Sequence, residues 1–191
     1  MTGFVLASSS PRRLALLGSI GLTPDRVVAP EVNEDPLPKE KPRVLAQRLA
    51  LAKARAGAGL APGAIVLAAD TVVSVGARIL PKTEGDPAEA RACLELLSGR
   101  AHQVTTAVAV LDANGKARQR AVLTRVSFKR LTPAEIDGYL ATNEWVGKAG
   151  GYGVQGVAGR FVISLTGSYT GVVGLPLYET VNLLASYGVR L

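Results

Sequence analysis

The chain has 191 residues, of which 48% are hydrophobic and 19% charged, so it can bury a substantial core as one domain, or as two lobes around a cleft. Its apolar runs fall short of the roughly 20 residues that span a bilayer, its N-terminus lacks a signal-peptide pattern, and its single cysteine, Cys93, excludes internal disulfides, so a cytoplasmic location is expected. A net charge of +7 raises the question of nucleic-acid binding, but scattered basic residues and 5% aromatic content favour a small anionic ligand instead.

The first predicted element is a strand over 4–7 that runs into Ser8-Ser9-Ser10-Pro11-Arg12-Arg13 and then an apolar helical pattern. Pro11 suits the first turn of a helix, so Ser10 is predicted as its N-cap. Arg12 and Arg13 oppose the helix dipole there, and a bound anion would remove that conflict. Taken alone, the segment is equally consistent with two structures. One is a phosphate site, and the other is a solvated turn whose arginines pair with carboxylates.

The next segments are a strand over 27–29, an acidic loop over 30–38 that contains Glu34, and a helix over 44–58 with Lys53 near its last turns. An apolar strand over 64–69 then ends in Asp70-Thr71, and a small hairpin turns at Gly76. An aspartate at the end of an apolar strand is where α/β sheets place catalytic groups. The alternative for Asp70 is a capping role, which we consider weaker.

The remaining pattern mixes hairpins with helices and predicts a mixed sheet flanked by helices. The predicted elements are a helix over 87–97, strands over 103–111 and 121–128 around Asn114-Gly115, a helix opened by a capping box at Thr132 and Glu135, a glycine-rich loop over 147–156, a strand over 161–165 and a terminal helix.

Two familiar kinds of site are excluded by context. Gly151, Gly153 and Gly156 have the spacing of a dinucleotide-binding loop, but that loop must precede a helix, and 157–165 is predicted as a strand. The only histidine, His102, leaves little room for a catalytic triad or a histidine metal site and is given a structural role. Carboxylates and lysines remain as the chemical groups.

Motifs along nearly the whole chain resemble the Maf family of nucleoside triphosphate pyrophosphatases, also known as septum-formation inhibitor proteins. They are Leu6-Ala7-Ser8-Ser9-Ser10-Pro11-Arg12-Arg13, Leu49-Ala50-Leu51-Ala52-Lys53-Ala54, Ala69-Asp70-Thr71-Val72-Val73, Leu97-Ser98-Gly99 with His102, the spaced Thr105, Ala107 and Val108, Lys148-Ala149-Gly150-Gly151-Tyr152-Gly153-Val154-Gln155-Gly156, Gly167-Ser168-Tyr169 and Val172-Val173-Gly174-Leu175-Pro176-Leu177.

The resemblance implies a single domain over 1–191, with a mixed elongated sheet flanked by helices and two lobes around a central cleft, similar to inosine triphosphatases. It also implies a house-cleaning hydrolase that cleaves between the α- and β-phosphates with Mg²⁺ or Mn²⁺, and homodimers are common in such families. The alternatives are a nonenzymatic, nucleotide-binding regulator of septum formation and a 7-methyl-GTP-type pyrophosphatase.

By the same resemblance, Asp70 activates water, Glu34 joins it in holding the metal, and phosphates are contacted by Ser8, Arg12, Lys53 and Lys82. The alternatives are that Lys53 complements its helix dipole and that Glu34 is a solvated loop acid. Arg13 is either a second phosphate contact or a structural partner of a carboxylate, and the structural role is narrowly favoured.

Within the family, Asp70-Thr71 and Gly153-Val154-Gln155-Gly156 resemble the branch that acts on dTTP and UTP, and this resemblance implies that Arg12, Thr71 and Gln155 determine specificity. A glutamine amide suits this role, because it can pair with a pyrimidine edge that both donates and accepts. The alternative for Gln155 is an exposed position in a plain glycine turn. The chain departs from the family pattern at Pro81-Lys82-Thr83 and at Asn33, where an acid often precedes Glu34, and Lys148 is given only a supporting role.

Overall fold

A computed structural model describes residues 3–190. Its helices are α1 (Pro11–Gly18), α2 (Pro42–Leu60), α3 (Pro87–Leu97), α4 (Pro133–Leu140), α5 (Tyr169–Val173) and α6 (Leu177–Ala185), with a 3-10 helix over Val157–Phe161. Its strands are β1 (Val5–Ala7), β2 (Arg26–Val28), β3 (Val66–Val75), β4 (Arg78–Ile79), β5 (Lys82–Thr83), β6 (Ala101–Leu111), β7 (Ala117–Phe128), β8 (Lys148–Ala149) and β9 (Val162–Thr166). Among the described helices, none is long and apolar enough to cross a membrane.

The main sheet is mixed and has the strand order β2-β1-β3-β6-β7-β9, with β4 paired to the far end of β3. Strand β1 is parallel to β2 and to β3, whereas β3, β6, β7 and β9 form an antiparallel series. The register aligns Leu6 with Leu67, so β1 ends at Ala7 while β3 continues for several residues. The carboxyl end of β1 therefore opens a gap beside the middle of β3.

Helices cover the sheet as the predicted α/β architecture requires, which confirms the fold class. Alternation along β3 sends Val66, Ala68 and Val72 into an apolar cluster with α2, while Leu67 and Ala69 pack on the other face with α1 and α6. A third cluster, which includes Val73 and the buried faces of α3 and α4, fills the far end of the long strands. The two ends of the sheet form two lobes.

Two predictions about local structure are wrong. Residues 157–161 form a 3-10 helix rather than a strand, so only β9 remains of the strand predicted over 157–165. Gly159 explains this, because its N–H donates to the carbonyl of Gly156 and turns the chain where extended backbone was expected. The dinucleotide loop is still excluded, because the strand before it, β8, belongs to an antiparallel pair with β5 rather than to a βαβ unit.

Asp70 lies inside the ten-residue strand β3, paired with Ala107, and not at the end of a strand as predicted. The strand that ends at this point is its neighbour β1. Ser10 occupies the N-cap position of α1 as predicted, but its side chain makes no capping hydrogen bond. The hydroxyl of Ser8 accepts from the N–H of Ser10 instead, at 3.1 Å.

Candidate active site

The centre of the site is a buried lysine that binds two carboxylates. Lys53 follows Leu49 and Ala50 on the sheet-facing side of α2, so its side chain points toward β3. Its Nζ lies 2.7 Å from Asp70 Oδ1 and 2.7 Å from Glu34 Oε1. Asp70 is 5% exposed and faces α2, whereas Glu34 reaches in from the loop before α2 with its side chain 40% exposed. Three groups predicted separately therefore meet at one point.

Burial and charge act in opposite directions on the two carboxyls. Burial raises the pKa of Asp70, and the positive charges of Lys53 and Arg13 partly offset that rise. For Glu34, burial also favours the neutral form. The net effect is nevertheless a lowered pKa, because Lys53 donates a hydrogen bond and the charges of Lys53, Lys82 and Arg13 favour the ionised form. The more buried carboxyl, Asp70, is thus the one whose pKa is raised, which makes it the stronger base of the two.

Ser8 follows β1 directly and is oriented as a hydrogen-bond donor. Its Oγ accepts from the N–H of Ser10 and from Nη1 of Arg13, each at 3.1 Å. A hydroxyl has two lone pairs and one proton, so the proton of Ser8 is left to donate to a ligand. Ser8 lines the cavity between the lobes. This orientation suits an anionic oxygen.

Arg13 is held by contacts within the protein. Its Nε donates to the carbonyl of Gly174 at 2.9 Å, while Nη1 donates to Ser8. The predicted carboxylate partner is wrong, because these acceptors are a carbonyl and a hydroxyl. Arg12, adjacent on α1, has no such contact among residues 3–190 and lines the same cavity.

Thr71 faces the opposite side of β3 from Asp70, toward α5. Its Oγ1 lies 3.0 Å from Oγ1 of Thr106, which itself donates to the carbonyl of Gly171 at 2.7 Å. Because the single proton of Thr106 is used on that carbonyl, Thr71 must donate to Thr106. Thr71 therefore presents only lone pairs to a ligand.

The small β5–β8 sheet brings two lysines to the rim of the cavity. Its register pairs Lys82 with Ala149 and Thr83 with Lys148. Nζ of Lys82 pairs with the exposed Glu84 at 2.7 Å rather than with the central carboxylates. Burial and the nearby charge of Arg12 lower the pKa of Lys148. These contacts show several cations around one cavity.

The cavity has a volume of about 640 Å³, large enough for a nucleotide. All the site residues predicted from the sequence line it, namely Ser8, Arg12, Glu34, Lys53, Asp70, Thr71, Lys82 and Gln155. They separate into a buried carboxylate–lysine centre below the end of β1 and an exposed Gln155 on the glycine-rich loop. The charged centre and Gln155 thus lie at different parts of one cavity.

The acidic pair fits a hard divalent cation. Glu34 and Asp70 converge on one positive centre, the ammonium of Lys53, so their oxygens face a common point. Mg²⁺ is typically held by one or two carboxylates together with waters and substrate phosphates. Within residues 3–190 no group of three or more His, Cys, Asp or Glu side chains could hold a metal.

The sequence did not identify the residues that orient the side chains and the glycine-rich loop of the site. Thr106 determines the hydroxyl direction of Thr71, and the signal available for it was a Thr105-Thr106 pair within an otherwise apolar strand. Tyr152 lies beneath the glycine-rich loop with its hydroxyl 2.7 Å from Nε2 of His102. The contact confirms the structural role predicted for His102, which is buried.

Comparisons with known proteins agree with this geometry. Residues 3–187 match the family described as Maf-like protein. A dTTP/UTP pyrophosphatase of Caulobacter vibrioides is 60% identical over 97% of this chain and 96% of its own length, and one of Novosphingobium aromaticivorans is 57% identical over 97% and 92%. The solved structure of a HAM1 protein from Coxiella burnetii shares the fold, with a TM-score of 0.51 and 18% identity over 79% of this chain and 86% of that chain.

Proposed function

Because the chain belongs to the Maf family, we propose that it is a hydrolase that converts dTTP and UTP to the monophosphate and pyrophosphate. The observation that carries this proposal is the Lys53 ammonium held between Asp70 and Glu34 in a cavity lined by further cations. Cleavage of a phosphoanhydride needs a base for water and positive charge around the phosphates. A protein that only bound nucleotide would not need a buried carboxylate–lysine pair.

Asp70 is the proposed proton acceptor for the attacking water. Its carboxyl is buried, and the rise in its pKa makes it a stronger base than an exposed aspartate. Lys53, at 2.7 Å from Asp70 Oδ1, fixes the direction of that carboxylate and adds positive charge beside the reacting phosphate. Glu34 holds the ammonium from its other side.

The phosphate chain is proposed to lie along the end of β1. Ser8 donates its free hydroxyl proton to it, and Arg12 contributes a guanidinium from the first turn of α1. Lys82, whose side chain is 44% exposed in its pair with Glu84, can exchange that partner for a phosphate oxygen at small cost. These contacts favour release of pyrophosphate as the leaving group.

A divalent cation, Mg²⁺ or Mn²⁺, is proposed to be held by Asp70 and Glu34 together with the substrate phosphates. When bound, it neutralises phosphate charge and polarises the phosphoryl oxygens. Asn33 has an amide in place of a carboxylate, and its Oδ1 accepts from the N–H of Asp35 at 2.8 Å.

Pyrimidine recognition is proposed to rest on Thr71, Gln155 and Arg12. Thr71 offers acceptor lone pairs, and the Gln155 amide offers a donor and an acceptor to the base edge. We propose that the two lobes act as one domain over 1–191. The proposed homodimer rests on the family resemblance, and light scattering after size exclusion tests it.

The test is pyrophosphate release from a panel of dTTP, UTP, CTP, GTP, ATP and 7-methyl-GTP with Mg²⁺ or Mn²⁺. We expect release from dTTP and UTP well above the purine nucleotides. Preference for 7-methyl-GTP would overturn the pyrimidine assignment alone, while binding of dTTP without release from any triphosphate would support the nonenzymatic regulator.

A further inference from the structure

The glycine-rich segment that carries Gln155 is attached to the α4 region at two points. The N–H of Gly153 donates to Oη of Tyr139 at 3.2 Å, and the N–H of Val157 donates to Oε2 of Glu144 at 2.7 Å. Gln155 lies two residues from each attachment, and its own side chain is exposed and forms no hydrogen bond within residues 3–190. The position of Gln155 thus depends on contacts made by other side chains.

The carboxylate of Glu144 occupies space that only a glycine at position 156 leaves free. A Cβ added to Gly156 would lie 2.1 Å from Oε2 and 2.8 Å from the carboxyl carbon of Glu144. Gly156 has φ −110° and ψ −152°, an extended conformation outside the left-handed region that favours glycine. The glycine is therefore explained by the approach of Glu144 and not by backbone strain.

Both attachment residues are themselves fixed. Tyr139 is fully buried, with its ring edge-to-face on Phe161 at 5.6 Å, and burial raises its pKa to about 12, so its hydroxyl stays neutral. The backbone N–H of Glu144 donates to Oγ1 of Thr142 at 3.1 Å, and the indole of the adjacent Trp145 donates to the carbonyl of Leu140 at 3.0 Å. The end of α4 and the turn after it therefore hold Tyr139 and Glu144 in fixed positions.

We propose that Glu144 and Tyr139 are positioning residues for base recognition, which hold the 153–157 segment so that the Gln155 amide meets the pyrimidine edge. This inference rests on the proposed function. The hydrogen bonds and ion pairs of Asp70, Lys53 and Glu34 involve none of residues 139–157 in the described part of the chain. Loosening the segment therefore weakens base selection and leaves phosphate chemistry in place.

The experiment measures KM and kcat for UTP and CTP, which differ at the base edge. In Glu144→Ala we expect the KM for UTP to rise and the UTP-over-CTP preference to fall about ten-fold each, the scale of one charge-assisted hydrogen bond, with kcat largely kept. Glu144→Gln retains an acceptor oxygen and restores most of the preference. Glu95→Ala, an exposed acid on α3, serves as the matched control without effect.

Two further variants separate positioning from general damage. Gly156→Ala expels the carboxylate without altering Glu144 and should reproduce the loss of preference. Tyr139→Phe removes one hydroxyl and should give a smaller loss in the same direction, and thermal unfolding confirms that each variant is folded. In a Gln155→Ala background, Glu144→Ala should add nothing, because both act through one contact.

Additive effects of Glu144→Ala and Gln155→Ala, or an equal loss for UTP and CTP that appears in kcat, would overturn the inference. If the native chain releases pyrophosphate from none of the triphosphates, the proposed function itself fails. If the native chain prefers UTP and the Glu144 variants keep that preference, the inference fails alone.

Discussion

Protonation of His102 should reduce the stability of the fold at acidic pH. The ring is 2% exposed and lies edge-on to Phe128 at 5.0 Å, and burial lowers its pKa to about 4 from an ordinary value of 6.5. Between pH 4 and pH 6.5, the histidine therefore binds a proton in the unfolded chain but not in the folded chain. Since the unfolded state binds more protons there, stability is present above pH 6.5 and is lost as pH falls toward 4.

Linkage gives the size of this effect. With these two pKa values, lowering the pH from 7.5 to 4.5 removes about 2–3 kcal/mol of unfolding free energy through His102 alone. Urea unfolding of the native chain and of His102→Gln at both pH values isolates the contribution, because all other groups titrate in both proteins. Native protein should lose about 2–3 kcal/mol more than the variant. Equal losses in the two proteins would refute the account of this buried histidine.

Three further outcomes are expected. Gly57→Ala should destabilise the fold by about 1–3 kcal/mol, because the added Cβ would lie 2.6 Å from Cβ of Ala7. Gly59→Ala on the same helix is the control and should not destabilise the fold, because its Cβ would meet nothing within 4 Å. Urea unfolding compares the two variants, and equal stabilities would contradict this packing. Lys82→Met should lower kcat/KM for dTTP about 100-fold, because it removes a cation proposed to contact the phosphates. Glu84→Gln, which changes the partner of Lys82, is the control. The same loss of kcat/KM in both variants would argue against a phosphate contact. Asp70 must be ionised to accept a proton, and burial raises its pKa. As the pH is lowered, kcat should therefore begin to fall before the pH reaches the ordinary carboxyl pKa of about 3.9. A kcat that stays unchanged down to that pH would exclude this role.

The architecture was predictable because the long elements carry strong signals. Alternation and turn chemistry identify β6 and β7, although both begin earlier than predicted, and the capping box at Thr132 and Glu135 forms as expected. The 3-10 helix over Val157–Phe161 was mistaken for a strand because Val and Phe favour strands, while the turn at Gly159 depends on hydrogen bonds the pattern does not show. Strands β5 and β8, of two residues each, depend wholly on tertiary pairing.

For the site, the sequence identified the residue types but not their arrangement. The meeting of Lys53 with Asp70 follows from helical spacing on α2 and alternation on β3, yet the reach of Glu34 from an irregular loop has no sequence period to predict it. Adjacent arginines on α1 point in different directions, so Arg13 is tied to Gly174 while Arg12 is left to the cavity. The direction of the Ser8 and Thr71 protons emerges only from their partners in space.

Comparison of the native chain with Asp70→Asn tests the central claim most directly. Products formed from dTTP are separated by ion exchange, while affinity for dTTP is measured by calorimetry with the same metal. We expect the native chain to form dTMP and pyrophosphate in equal amounts, and Asp70→Asn to bind dTTP but to release pyrophosphate at least about 100-fold more slowly, the usual contribution of a general base. Unchanged release by Asp70→Asn, or formation of dTDP and inorganic phosphate by the native chain, would contradict the account.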